Sequence, residues 1–341
     1  MSTIRDVAQR AGVSTMTVSR VINRSGYTSA ETRARVERAI AELGYVPNAV
    51  ARHLRSKVTK SIALVLSDIT NPFFTTIARG VEDVAGPRGF GVMFCNTDED
   101  PVEEMDYLQM LTQRQVDGVL LVPAGSATAP LRLLRSRRVP VVVLDRRVRS
   151  RQVDQVRTDS VADSRRLVRH LTDLGHQRIA MLSGRRAIST ATDRVAGYQV
   201  ALREAGITAD ARLVRYGGYG IAGGYQMATE VLALDPPPTA LFAANNFIAF
   251  GALRRLRELR LHVPEDVSLV CFDDLPEDWL IDPFLTVVDQ PAYEMGRRAA
   301  ELLLRRLDGT PPHAAQSIVL PGELVERRST AAPSAIPVAV A

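Results

Sequence analysis

Apolar positions in the first 45 residues recur at helical spacing in three short blocks. Ile4, Val7, Ala8 and Ala11 share one face, as do Val18, Val21 and Ile22, and then Val36, Ala39, Ile40 and Leu43. Each block carries its own start and stop. Thr3, with Asp6 three residues on, has the form of a capping box, and Gly12 suits the left-handed residue that ends a helix. Ser14 caps a second helix expected over Thr15–Asn23, and Ser29 caps a third that begins at Ala30 and closes at Gly44. A helix, a tight glycine turn and a second short helix make a helix-turn-helix, whose second helix fits the DNA major groove. Thr15, Met16, Ser19 and Arg20 point away from the apolar stripe, and Thr17 and Asn23 complete the residues expected to meet DNA. Arginine pairs bidentately with guanine, whereas Thr and Met offer apolar contact to a thymine methyl.

Beyond residue 60 the pattern changes to short apolar runs separated by helix-patterned segments. The runs are Ile62–Leu66, Phe90–Phe94, Gly118–Val122, Val139–Leu144, Ile179–Leu182, Ala240–Ala243 and Val267–Phe272. That alternation predicts βαβ units with parallel sheets, an α/β body behind an all-α head. Between them, Asn48 caps a short segment that includes Ala51, Leu54 and Arg55, about two turns that are marginal without a partner. Leu54, apolar in a basic run, fits a wedge between base steps in the minor groove or a contact with the next domain.

Charge sharpens this picture. The net charge is +5, but residues 1–60 hold eleven Lys/Arg against four Asp/Glu, and the remainder carries a net of −2. A compact basic head on a slightly acidic body is the expected footprint of a nucleic-acid partner. Hydrophobic residues at 46% and charged residues at 24% exclude a disordered or collagenous chain. No apolar stretch reaches the length of a membrane span, and MSTIRDVAQR has no apolar signal core, so a cytoplasmic location is expected. Cys95 and Cys271, far apart, argue for a reducing compartment and against a cysteine-based metal site.

Catalytic signatures are weak. Gly218-Tyr219-Gly220-Ile221-Ala222-Gly223 matches the dinucleotide pattern, but the next strand ends in Asn245-Asn246, without an acid to hold a ribose. The five histidines are scattered, and neither a serine elbow nor a P-loop is present. No enzyme, metal or cofactor is expected. Asp145, Asp273 and Asp274 read better as hydroxyl acceptors than as catalytic acids.

TIRDVAQRAGVSTMTVSRVIN and TRARVERAIAELGYVPNAVARHLRS resemble the head and hinge helix of the LacI/GalR family of bacterial transcription regulators. The likeness continues through SIALVLSDITNPFF, VDGVLLVP, LGHQRIAMLSG, ATDRVAGY, PTALFAANN, VPEDVSLVCFDD, LTVVDQPAYEMG and ELVERRST, covering about residues 2–330. The resemblance implies two doubly wound parallel-sheet lobes of periplasmic-binding-protein type, with crossings near 159–161, 289–291 and 320–322. The division expected is a head over 1–46, a hinge over 47–60, a body over 61–330 and a disordered tail over 331–341. Within the body, one lobe takes about 61–160 plus 291–320, and the other about 161–290 plus 321–330. By the same resemblance Phe73, Phe74, Asp145, Arg194, Tyr219, Asn245 and Asp273 match the positions that hold an effector. Asp273 is expected to accept two ligand hydroxyls while Arg194 donates from the facing side of the cleft. Asn246 departs from the family pattern, where Asp commonly follows the Asn, and Arg146-Arg147 raises the option of an acidic or phosphorylated sugar.

The expected protein is a homodimeric repressor of carbohydrate-utilisation genes. It binds a near-palindromic operator on double-stranded DNA and answers to a small-molecule effector, a sugar. A purine- or nucleoside-sensing regulator is the nearer alternative, and a sugar-binding transport protein sharing the body fold the more distant one. The tail lacks leucine heptads, which favours a dimer over a tetramer.

Overall fold

The computed structural model describes residues 2–23, 25–46, 58–275, 283–309 and 314–334. Asn48, Ala51, Leu54 and Arg55 lie outside them. Residues 1–59 and 60–341 form separate compact units.

The head contains α1 (Ile4–Ala11), α2 (Thr15–Ile22) and α3 (Ala30–Leu43). The caps act where the residue types place them. Thr3 and Asp6 form the capping box, Ser14 accepts from the Thr17 amide, and Ser29 accepts from the Thr32 amide. Gly12 and Gly44 end their helices with φ of +64° and +55°, in the left-handed region that glycine enters without a Cβ penalty. Val7, Val18 and Val36 meet in a fully buried core, one from each helix. A core this small holds the three helices at fixed angles and leaves the outer face of α2 to solvent.

In the body, β1 (Ser61–Leu66), α4 (Pro72–Ala85), β2 (Gly91–Asn96), α5 (Pro101–Gln113), β3 (Gly118–Leu121), α6 (Thr128–Ser136), β4 (Val141–Leu144) and β5 (Asp154–Thr158) follow in turn. Next come α7 (Ser160–Asp173), β6 (Ile179–Ser183), α8 (Ser189–Glu204), β7 (Val214–Tyr216), α9 (Ile221–Leu232), β8 (Ala240–Ala243), α10 (Asn246–Glu258) and β9 (Ser268–Phe272). The last elements are β10 (Thr286–Asp289), α11 (Ala292–Leu307), β11 (Ser317–Leu320) and β12 (Glu323–Val325).

Two six-stranded sheets result, ordered β11-β5-β4-β3-β1-β2 and β12-β10-β9-β8-β6-β7. Among the described residues every pairing is parallel except that of β10 with β12. Helices cover both faces, so the central strands are buried throughout and read as continuous apolar runs. The chain leaves one sheet for the other after β5, after β10 and between β11 and β12. In each lobe the strand order reverses beside its first strand. Loops at the carboxyl ends of the strands there open into a crevice, the usual place for a ligand in such sheets.

Two differences from the sequence pattern have physical causes. Strands β5, β7, β10, β11 and β12 are short and carry charged or polar residues such as Asp154, Arg157, Arg215 and Glu323, so their period is blurred. The tail expected to be disordered from residue 331 is fixed over its first residues. The Ala331 amide donates to Ser268 Oγ at 3.1 Å, and its carbonyl oxygen lies 2.9 Å from His176 Nε2.

Candidate functional site

The outer face of α2 carries Thr15, Met16, Arg20 and Asn23 exposed, with Ser19 half-buried beside them. Met16, a large apolar residue, is 60% exposed and available to a partner. Asn23 Nδ2 donates to the Ser19 carbonyl oxygen at 2.8 Å and closes the helix end. Thr17 differs from the rest of the expected set. It is half-buried, and its hydroxyl lies 3.0 Å from Ser14 Oγ, so it serves the helix cap.

Between the two lobes of the body lies a cavity of about 200 Å³. Phe73, Phe74, Asp145, Arg194, Tyr219, Asn245 and Asp273 all line it. Five of the seven sit where a strand ends or a helix begins. Asn71 caps α4 by accepting from the Phe73 amide at 3.0 Å, which sets Phe73 and Phe74 on the first turn. Their rings pack edge to face, with centroids 5.1 Å apart. Asn245 caps α10 through the Ile248 amide at 2.9 Å, and its Nδ2 donates to the Tyr219 carbonyl oxygen at 3.1 Å.

Asp145 follows β4 with φ +61°, and Asp273 follows β9 with φ +66°. The two lobes thus present equivalent carboxylates from left-handed turns, a conformation that strains most side chains and that Asp tolerates better than most. Burial pushes both carboxyls up from the ordinary range. Asp273 reaches about 6, although Arg194 and the Gln290 amide pull it the other way. Asp145 is raised by the same loss of hydration, opposed by Arg146 and Arg194.

Arg194 is held rigidly. One of its terminal nitrogens donates to the Ala244 carbonyl oxygen, and its guanidinium lies 4.0 Å from the centroid of the Phe272 ring. Because α8 and β9 belong to the same lobe, Arg194 and Asp273 are neighbours on one wall of the cavity. The expectation that they face each other across the cleft is corrected: Asp145 and Arg146 supply the opposite wall.

The structure adds Glu99 to this set and supplies partners for residues already named. Glu99 accepts from Arg146, which also donates to the Pro123 carbonyl oxygen. Arg147 makes a two-point ion pair with Asp193 of the other lobe, at 2.7 and 3.1 Å. Both arginines that suggested an acidic ligand are therefore engaged by carboxylates of the chain itself. Gln290, in the second crossing, donates to Asp273 and accepts from the Thr158 hydroxyl at the end of β5. Asn71 and Asn246 exchange amide hydrogen bonds between the lobes at 2.9 and 3.3 Å, so the unusual Asn at 246 forms part of the lobe contact. The glycine motif also acquires a packing role. A Cβ on Gly223 would overlap the Gly218 carbonyl oxygen, and one on Gly184 would overlap the Tyr219 ring. These glycines close the loop and seat the tyrosine.

Buried polar atoms without a hydrogen-bond partner concentrate here. Among the described residues Ser67 Oγ, Glu99 Oε2, Asp145 Oδ1, Arg146 Nε and Arg194 Nε are buried and unsatisfied, and all five residues line this cavity. Such atoms each cost about 1–3 kcal/mol unless a ligand or water pairs with them. The set holds both donors and acceptors. No group of His, Cys, Asp or Glu able to hold a metal occurs among the described residues, and no helix there is long and apolar enough to cross a membrane.

Comparison with known proteins identifies the family and the fold. Residues 3–48 match the model of bacterial regulatory proteins of the lacI family, and residues 168–330 match that of a periplasmic binding protein-like domain. The chain is 35% identical to the HTH-type transcriptional repressor PurR of Vibrio atlanticus, over 96% of this chain and 98% of that protein. It is 36% identical to the ribose operon repressor of Halalkalibacterium halodurans, over 97% of each. Among solved structures, the lac repressor dimer bound to operator and the anti-inducer ONPF aligns with a TM-score of 0.85 at 30% identity, covering 97% of this chain and 99% of that one.

Proposed function

The chain belongs to the lacI family of bacterial regulatory proteins, DNA-binding transcriptional regulators, and from that premise we propose that it is a cytoplasmic, homodimeric repressor controlled by a neutral polyhydroxylated ligand, a sugar of about one ring. It works by binding and not by catalysis. Two heads meet the half-sites of a near-palindromic operator, each with Arg20, Met16 and Thr15 of α2 towards the base edges. The hinge residues Asn48, Ala51, Leu54 and Arg55 add to the DNA contacts, Leu54 as a wedge in the minor groove.

The observation that carries the ligand class is the set of unsatisfied atoms around the cleft. Asp145 Oδ1 and Glu99 Oε2 need donors, while Arg146 Nε and Arg194 Nε need acceptors. A hydroxyl is both donor and acceptor, so vicinal hydroxyls answer all four. A carboxylate or phosphate only accepts, and it would meet Asp145, Asp273 and Glu99 at close range with Arg146 already neutralised. Phe73 and Phe74 cover the apolar face of a ring. A cavity of about 200 Å³ falls below the roughly 300–1,000 Å³ typical of drug-sized ligands, which suits a single ring.

Ligand in the cleft pulls the lobes together through Asp145 on one wall and Asp273 with Arg194 on the other. That closure is the differential contact through which a ligand shifts operator affinity. Calorimetry of the full-length protein with neutral pentoses and hexoses, their phosphates and carboxylates, and a set of purines tests the reading. Binding is expected for a neutral sugar, and binding of a purine or a sugar phosphate alone would overturn the ligand class.

A further inference from the structure

A second cavity lies outside the cleft, beneath the loop that joins β4 to β5. It is open and measures about 560 Å³, within the roughly 300–1,000 Å³ range of small-molecule sites. Arg147, Arg149, Arg151, Ser150, Gln316 and Ser317 line it. Residues 132–151 hold eight arginines and a single carboxylate, Asp145, which is buried in the cleft. Asp154, the next acid along, is fully engaged: Arg306 holds it at 2.8 and 2.9 Å, and the Gln316 amide donates to it at 2.7 Å.

Some exposed arginines of the body have acids beside them, as in Arg165 with Glu204 and Arg298 with Glu294, and others, such as Arg88 and Arg203, make no ion pair among the described residues. Arg149 and Arg151 are exposed and have no acidic partner among the described residues. The loop that carries them is nevertheless well built. Gln155 accepts from the Val148 amide at 3.0 Å and donates to the Ser150 carbonyl oxygen at 3.3 Å, while Val148 and Val153 pack against Leu131 and Val143. The loop spends hydrogen bonds and apolar contacts to hold unpaired guanidiniums around a concavity.

Guanidiniums converging with hydroxyls and amides match a multiply charged oxyanion, which accepts from several forks at once. We propose that this cavity binds a small phosphate-bearing anion, and that the anion competes with Asp193 for Arg147. Arg147 lines the cavity and also makes the ion pair with Asp193 of the other lobe. Occupation of the second site therefore draws on one of the bonds that holds the lobes together. The site requires no sugar in the cleft, so the two readings stand or fall separately.

Inorganic pyrophosphate, titrated calorimetrically into the full-length protein at constant ionic strength, is the probe. One site per chain is expected. Arg149→Ala combined with Arg151→Ala should weaken binding at least tenfold, and both side chains are exposed, so the fold should survive. Asp193→Asn should tighten binding severalfold by freeing Arg147. Arg194→Met, in the cleft, should leave it unchanged. Absence of pyrophosphate binding, indifference to the Arg149/Arg151 change, or loss with Arg194→Met would each overturn the site. An unchanged affinity in Asp193→Asn would overturn the competition for Arg147.

Discussion

Asp273 is the side chain whose ionisation the cleft controls most directly. Burial raises its pKa to about 6, so part of the empty protein carries it protonated near neutral pH. A ligand hydroxyl donating to the carboxylate favours the charged form. Binding therefore expels a proton, and affinity for a neutral sugar should fall as pH drops through 6, by about tenfold at pH 5. The empty fold responds with the opposite sign. The cost of burying this charge is present above pH 6 and fades as the pH falls towards the ordinary carboxylate range. Titrations at several pH values, in buffers of different ionisation enthalpy, measure both the slope and the proton released; a flat profile from pH 5 to 8 would contradict the assignment. In the head, Arg20→Ala should cost about 1–3 kcal/mol of operator affinity and relax preference at one base pair. A binding assay against single-base operator variants reads this, and a uniform loss over all sequences would show that Arg20 meets phosphate.

Residue roles were legible where a motif marks them and hidden where folding makes them. The Asp, Asn, Arg and aromatic positions at strand ends could be picked out because the family resemblance aligns them. Glu99 could not. It lies in the acidic run Thr97-Asp98-Glu99-Asp100, which reads as a solvated turn, and only the fold brings it to Arg146. Gln290 falls within the expected crossing at 289–291, but its bonds to Asp273 and Thr158 join segments that only the fold brings together.

At the scale of elements, the caps explain why the head helices were readable almost to the residue. Thr3, Ser14 and Ser29 are local signals with local partners. Helix contacts in the body obey a rule that composition does not announce. α4 crosses α11 so closely that a Cβ on Gly80 would overlap the Tyr293 carbonyl oxygen, and one on Gly296 the Ile77 carbonyl oxygen. The other lobe repeats the device, with Gly224 of α9 against Ile248 and Gly251 of α10 against Ile221. These obstacles are backbone atoms, which cannot rotate away. Gly296→Ala should therefore force the helices apart and destabilise the body by about 1–3 kcal/mol, despite the better helix propensity of alanine. Chemical denaturation checks this, and a stability equal to or above wild type would mean that the crossing yields. The short mixed strands β5, β7 and β12 show the reverse limit. Their residues are strand-forming only because neighbouring strands and helices cover them.

At the scale of the whole molecule, charge is divided between the units of the chain. The net +7 of residues 1–60 predicts a steep fall of operator affinity with salt, about −0.9 in log–log slope for each phosphate neutralised. Operator affinity unchanged between low and moderate salt would contradict that role. The body supplies the control. Thr158, Gln290 and Asp273 form a hydrogen-bonded line from the first crossing through the second to one wall of the cleft. Titrating the protein–operator complex with the sugar that calorimetry identifies tests whether the cleft governs the head without contributing to unliganded DNA binding. In the wild type, saturating sugar should change operator affinity at least tenfold, about 1.4 kcal/mol. Arg194→Met and Asp273→Asn should keep the unliganded operator affinity and need at least tenfold more sugar for the same change, since a charged hydrogen bond contributes about 1.5–3 kcal/mol. If both variants respond at the wild-type sugar concentration, the cleft between the lobes is not where the protein senses its ligand.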